Sequence, residues 1–193
     1  MALRIHEIHP TLVHFPLALI PLAVMCDLVG VATGNRSLLR TGRRLMPIAA
    51  ASGVVAGASG LVAQGSVEVN EAARPVLSTH RNLNLGLVLM TGALALWRRA
   101  SLQPSTGYLA VATAAVAAMN YTAYLGGKLV YHHGVGVQKA GGVKPERSPE
   151  LRWQTAGAAA QASVRHGTAA LRHTVQDLRS GEVAPALTGD VPG

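Results

Sequence analysis

Charged residues, acidic residues and cysteine are all scarce in this chain of 193 residues. Charged side chains make up 13% of the composition, about half the share found in soluble domains. Because Cys26 is the only cysteine, an intramolecular disulfide, an iron–sulfur cluster and a multi-cysteine zinc site are excluded. Hydrophobic residues reach 49%, and with so few charges this content indicates insertion into a membrane.

The net charge of +8 does not indicate a nucleic-acid partner. The arginines lie mainly at the ends of apolar segments and in the C-terminal region, as they do in membrane proteins that are oriented by basic loops. We therefore predict the lipid bilayer as the partner and no nucleic acid. The first and third loops between the apolar segments are expected at the cytoplasmic face. The first carries Arg36, Arg40, Arg43 and Arg44, and the third carries Arg98 and Arg99. Both termini would then lie outside the plasma membrane, and the arginine-rich composition favours a bacterial source.

Four apolar segments predict an all-α fold, a four-helix transmembrane bundle with an extra-membrane C-terminal tail helix. They run over about 10–31, 45–67, 81–97 and 108–131. Pro16 and Pro21 predict a kink in the first segment, which we expect to be retained and not cleaved as a signal peptide. Residues 1–138 form the predicted membrane domain. Residues 139–193 are predicted to hold a linker, an amphipathic helix over about 151–179 and a disordered C-terminus.

Six of the eight histidines fall in three groups at the ends of these segments. The groups are His6, His9 and His14, then His80, then His132 and His133. In a bundle whose helices alternate in direction, His14, His80, His133 and the polar end of the second segment at Gln64 would share one side. Imidazole is a common ligand of haem iron, copper and zinc, so this pattern predicts a metal centre near one membrane face. The two remaining histidines, His166 and His173, are interpreted as solvated residues of the tail helix.

The first motif is HPTLVHFP, which begins at His9. His14 lies about one helical turn inside the first segment, where an imidazole without a partner is costly to bury. It is either a metal ligand or a histidine bonded to a nearby backbone carbonyl, and the sequence leaves both open. His9 is either a ligand of a second haem or a residue that supports a ligand.

The second motif is GGKLVYHHGVGV, which begins at Gly126. His133 and Gly126 are seven residues apart and share one helix face. The glycine leaves room there either for a flat cofactor or for a neighbouring helix. On the second segment, a stripe of Gly53, Gly57, Gly60 and Gln64 is either a packing seam or a groove for a porphyrin.

The third predicted segment begins beside several polar residues around His80. Asn84 lies one turn after His80 and is placed to orient the imidazole or a cofactor substituent. Arg81 is either the partner of a propionate or phosphate, or an arginine that reaches the membrane interface. Asp27 is either a group on a proton or quinone path or a solvated helix end, with Asn120 as a possible bonding partner.

The motifs HPTLVHFPLAL and GGKLVYHHGVGV together resemble a bacterial family of four-helix membrane domains, catalogued as domain of unknown function 2231. The resemblance covers about residues 6–138, and it implies functional roles for His9, His14, His80 and His133. Relatives fused to cytochrome c or Rieske iron–sulfur domains imply membrane electron transfer with haem b. The tail of this chain has no second cysteine, so a Rieske protein or cytochrome c would have to be a separate partner.

Three functions follow as expectations. The first is a haem-b protein that passes electrons from a quinone or a membrane cytochrome to an external acceptor, through His14, His80, His133 and His9 as ligands. The second is a histidine site for copper or zinc that serves binding or transport. The third is a non-catalytic membrane scaffold. A hydrolase is disfavoured because no serine or carboxylate constellation accompanies the histidines.

Overall fold

The computed structural model describes residues 4–137, 140–143 and 153–188, and it confirms the all-α fold class. Seven α-helices follow one another in this part of the chain, and an isolated antiparallel bridge pairs Val67 with Val143. The helices are α1 (Ile5–Leu12), α2 (His14–Thr33), α3 (Arg36–Gln64), α4 (Arg74–Arg99), α5 (Thr106–Tyr131), α6 (Ala156–Ser180) and α7 (Pro185–Thr188).

The first apolar segment is divided between α1 and α2 at Val13, three residues before Pro16, and the kink expected at Pro16 and Pro21 stays a prediction. Pro10 lies inside α1 and Pro21 inside α2, and each lacks the N–H that a helix interior uses. The second helix ends at Gly34, whose φ of 68° gives the left-handed conformation that favours glycine.

The helix α3 corresponds to the second predicted segment. It begins at Arg36, nine residues before the predicted start at Leu45. The side-chain Oδ1 of Asn35 accepts hydrogen bonds from the backbone N–H groups of Ser37 at 2.9 Å and Leu38 at 3.3 Å. This is how an asparagine caps a helix N-terminus. The arginines assigned to the first loop are therefore helical, although the continuous apolar pattern begins only at Leu45.

The predicted count of four membrane spans is not confirmed. Within the described residues, three helical stretches are long and apolar enough to cross a membrane, Ile5–Thr33, Arg36–Gln64 and Thr106–Tyr131. The helix α4 is long enough, but its mean hydropathy is lower because polar residues occupy both ends. These residues are Arg74, His80, Arg81, Asn82, Asn84, Arg98 and Arg99.

The chain forms two compact units. The first is drawn from Met1–Thr11, Gly57–Asn84 and Thr122–Gly193, and the second from Leu12–Ala56 and Leu85–Tyr121. The predicted boundary at 138 is therefore not a boundary between units.

The first unit includes α6, the helix that we predicted as an extra-membrane tail. Ile5 of α1 is buried with Ala159 and Ala162 of α6, and the half-buried Val62 of α3 packs against them. Because the contact residues on α6 are alanines, that helix approaches its neighbours closely.

The core of the second unit is built mainly from small and aliphatic side chains. Ala23 and Val24 of α2 pack there with residues of α3, α4 and α5. The buried members from those three helices are Met46, Ala50, Leu94, Ala95, Tyr108, Ala112 and Ala115. Alanine at so many contacts allows close approach of helices, as is usual in membrane proteins.

Candidate functional site

Most of the predicted site residues belong to the first unit. They are His9, Gly57, Gly60, Gln64, His80, Arg81, Asn84, Gly126 and His133. His14 is the exception, because it begins α2 in the second unit and its side chain is exposed. The candidate site is therefore described from the first unit alone.

His80 is held in one tautomer by the backbone of α5. Its Nδ1 lies 2.9 Å from the carbonyl oxygen of Thr122. A carbonyl only accepts, so Nδ1 carries the proton and Nε2 keeps its lone pair in the neutral ring. This is the arrangement in which a metal-binding histidine is oriented by a carbonyl behind it.

Asn84 supports the same group, as its spacing predicts. Its side-chain amide donates to the carbonyl of His80 at 2.7 Å, and its Oδ1 accepts from the hydroxyl of Thr122 at 3.3 Å. The amide nitrogen also lies 3.5 Å from Nε2 of His80, which is long for a hydrogen bond. Asn84 thus braces α4 against α5 beside the imidazole.

Two glycines of the first unit face imidazole rings, a role that the sequence did not suggest. A Cβ added to Gly126 would lie 3.1 Å from Cε1 of His80, and one added to Gly60 would lie 2.9 Å from Cε1 of His9. Nδ1 of His9 is also 3.2 Å from the hydroxyl of Ser59. The space beside these two glycines is therefore occupied by histidine side chains.

His133 contains a buried nitrogen atom without a hydrogen bond. Its Nε2 is inaccessible to solvent and has no partner within the part of the chain that the structure describes. The ring packs edge-on against His132, with 4.9 Å between ring centroids. Burial lowers the pKa of His133, and the neighbouring His132 and Lys128 lower this pKa further. The neutral form, which is the form that binds metals, is favoured.

The glycines after His133 serve a tight turn that ends α5. Gly134 has φ 66° and its N–H bonds to the carbonyl of Val130, while Gly136 has φ 78°. A Cβ on Gly142 would lie 2.0 Å from the carbonyl oxygen of Gly134, so no other residue fits there. The carbonyl of Gly142 accepts from the N–H of Glu68, which ties this turn to the end of α3. The motif therefore fixes the position of His133.

Arg81 is buried and paired within the protein. Its guanidinium forms an ion pair with Asp177 of α6 and donates from Nε to Asn82 at 3.1 Å. Asn82 also bonds to Asp177, at 3.0 Å, and to the carbonyl of Val183, at 2.9 Å. Arg81 is thus paired within the first unit, and one of its guanidinium nitrogens is used by Asp177 of α6.

His166 is a residue of this region that sequence reasoning missed. A Cβ on Gly65 would lie 2.2 Å from Cγ of His166, so this ring from α6 lies against the backbone at the end of α3. The prediction that His166 is solvated is wrong, whereas His173 is exposed as predicted. Alanines at positions 159, 162 and 170 mark the buried face of α6, and their helical spacing is the signal that would have shown a packed helix.

The described residues of the first unit do not assemble a multi-histidine metal site of the kind considered for copper or zinc. No group of three or more histidine, cysteine, aspartate or glutamate side chains is arranged to hold a metal ion among residues 4–137, 140–143 and 153–188. A pair of imidazoles, which is what haem iron needs, is a smaller requirement.

The second unit contains a buried ion pair that sequence reasoning also missed. Arg98 binds Asp27 through two hydrogen bonds, and both side chains are almost inaccessible to solvent. The remaining guanidinium donors reach the carbonyls of Leu39 at 2.9 Å and Ser101 at 2.6 Å. Arg98 is therefore not a loop residue, and Asn120 is not the partner of Asp27.

Long apolar helices define this chain as a helical membrane protein. The chain belongs to the family described as Predicted membrane protein (DUF2231), which matches residues 5–139. This match confirms the family expected from the two histidine motifs. No curated protein and no solved structure matches the chain.

Proposed function

We propose that this protein is an electron carrier of the bacterial plasma membrane that binds haem b in its first unit. His80 would hold the haem, together with His133 or His9. The observation that carries the proposal is the hydrogen bond from Nδ1 of His80 to the carbonyl of Thr122. It leaves the Nε2 lone pair for iron and prevents rotation of the ring.

Two further observations support a haem ligand set. The buried Nε2 of His133 has no hydrogen bond in the described part of the chain, and such an atom is costly unless something binds it. His9 and His80 also belong to the same compact unit. However, the rings beside Gly60 and Gly126 fill the space that a porphyrin groove would need, so the glycine stripe does not by itself provide the slot.

In this proposal the chain supplies orientation and insulation. Thr122 and Asn84 hold the imidazole of His80, the turn after α5 holds His133, and α6 covers the same unit by packing on α1 and α3. Bound haem b would supply a one-electron couple. The donor would be a quinone or a membrane cytochrome, and the external acceptor a separate cytochrome c or Rieske protein.

The test is a reduced-minus-oxidised visible spectrum of the full chain, purified in detergent after expression with a haem precursor. We expect a Soret band and a sharp α-band, both lost in His80→Ala and retained in the control His173→Ala, whose side chain is exposed on α6. His133→Ala and His9→Ala then identify the second ligand. Retention of the bands in His14→Ala would place the centre in the first unit.

A colourless protein under these conditions would reject the haem proposal. Elemental analysis for copper and zinc would then test the alternative of a metal-binding or transport protein. Absence of both metals from that preparation would favour the scaffold alternative.

A further inference from the structure

The second unit has a positive charge that its own acidic residues do not balance. Residues 12–56 and 85–121 are all described, and they contain six arginines, no lysine and one acidic residue, Asp27. Arg98 already binds Asp27 through two hydrogen bonds. Five arginines of this unit therefore have no acidic partner in it, namely Arg36, Arg40, Arg43, Arg44 and Arg99.

Four of these five arginines surround a cleft of about 400 Å³. Arg40, Arg43 and Arg44 come from the beginning of α3, and Arg99 comes from the end of α4. Pro47 is the remaining lining residue. None of the described residues that line the cleft is acidic, so four like charges lie near one another there, and a bound anion would reduce their repulsion.

Backbone carbonyls hold two of the guanidinium groups near the cleft. Nη2 of Arg43 donates to the carbonyl of Arg99 at 2.6 Å, which links α3 to the end of α4. Nε of Arg40 donates to the carbonyl of Arg36 at 3.2 Å. A guanidinium has five N–H donors, so each group keeps donors for a ligand. Restricting these side chains before binding lowers the entropic cost of binding.

We propose that this cleft binds the phosphate group of an anionic lipid head group. The planar guanidinium matches the oxygens of phosphate with paired hydrogen bonds. The cleft lies at the beginning of α3, a helix long and apolar enough to cross a membrane, and this is where lipid head groups lie. Orientation by the positive-inside rule requires arginines in this region, but it does not require them to converge on a cleft.

Native mass spectrometry of the detergent-purified full chain tests the proposal. The protein is titrated with phosphatidylglycerol, with phosphatidylcholine and with sodium pyrophosphate. The test variant is Arg43→Gln/Arg44→Gln, and the control is Arg165→Gln/Arg172→Gln, which removes the same charge from exposed positions of α6. We expect about tenfold weaker phosphatidylglycerol binding in the test variant and unchanged binding in the control.

Equal phosphatidylglycerol binding by wild type and both variants, or equal preference for phosphatidylcholine, would overturn the proposal. Binding of pyrophosphate without phosphatidylglycerol, lost in Arg43→Gln/Arg44→Gln, would reject the lipid and assign the site to a soluble phosphate. Circular dichroism of both variants establishes that the helices are intact. None of these outcomes depends on haem, so they do not overlap with the test of the proposed function.

Discussion

Arg98 donates from Nε to Oδ2 of Asp27 at 2.8 Å and from Nη2 to Oδ1 at 2.7 Å, so the two side chains are paired edge to edge. The ring of Tyr108 lies 5.9 Å from the guanidinium carbon. A Cβ on Gly42 would lie 2.3 Å from Oδ1, so glycine is required for the carboxylate to fit. This pair joins α2 to the end of α4 inside the second unit.

Breaking this pair by one substitution should strongly destabilise the protein. Asp27→Ala leaves the Arg98 charge buried alone, and we expect a loss of about 3–5 kcal/mol in the free energy of unfolding. The double variant Asp27→Ala/Arg98→Met should recover much of the loss, since it removes both charges. Thermal unfolding in detergent measures the effect. Arg99→Ala, at an exposed neighbouring position, is the control, and equal effects of Arg98→Ala and Arg99→Ala would contradict the prediction.

Two adjacent glycines of α5 should respond differently to alanine. In Gly126→Ala the new methyl group would lie 3.1 Å from the ring of His80, whereas in Gly127→Ala it would meet nothing within 4 Å. We expect Gly126→Ala to displace His80 from the carbonyl of Thr122 and to reduce the haem Soret band. Gly127→Ala should leave the band unchanged. Thermal unfolding separates a local effect from general misfolding, and identical spectra would exclude the close contact.

Stability should decrease in mild acid because of His133. Its pKa in the folded protein lies below the ordinary value of 6.5, so the unfolded chain binds a proton more readily than the folded chain. The stability that comes from a neutral His133 is therefore complete above about pH 6.5. It is lost as the pH falls through the pKa that His133 has in the folded protein. Melting temperatures between pH 7.5 and 5.5 check this. In His133→Gln the pH dependence should be flatter, and an unchanged slope would show that other groups cause it.

The ion pair between Arg81 and Asp177 should hold the end of α6. Asp177→Ala leaves the buried Arg81 guanidinium without its acid, so the segment near Val183 and Ala186 should exchange amide hydrogens faster. Hydrogen exchange followed by mass spectrometry measures this. Glu182→Ala, at an exposed position, is the control. Equal exchange in both variants would mean that the alanine contacts alone hold α6.

The helices were predictable where a strong apolar pattern existed, and their ends were not. The fourth predicted segment and the helix α5 both end at Tyr131, because polar residues and glycines follow it. The beginning of α3 at Arg36 depends instead on the side chain of Asn35 and on an arginine-rich stretch that carries no apolar pattern. Hydropathy alone gives that stretch the character of a loop.

Most residues of the candidate site were predictable from the sequence, but the residues that they contact on other helices were not. The spacing of His80 and Asn84 predicts their contact because both lie on one helix. The carbonyl of Thr122 and the ring of His166 are brought in by other helices, and no local pattern specifies them. The pairing of Arg98 with Asp27 was missed for the same reason, since the two residues are 71 positions apart in the sequence.

The distance along the chain between Asp27 and Arg98 has a consequence for biosynthesis. At a translation rate of about 5–20 residues per second, a separation of 71 positions corresponds to roughly 4–14 seconds of synthesis. Throughout that interval α2 carries an acidic side chain that cannot be neutralised by its final partner. The free-energy cost of placing Asp27 in an apolar environment is therefore offset by its pairing with Arg98 only after α4 has been made.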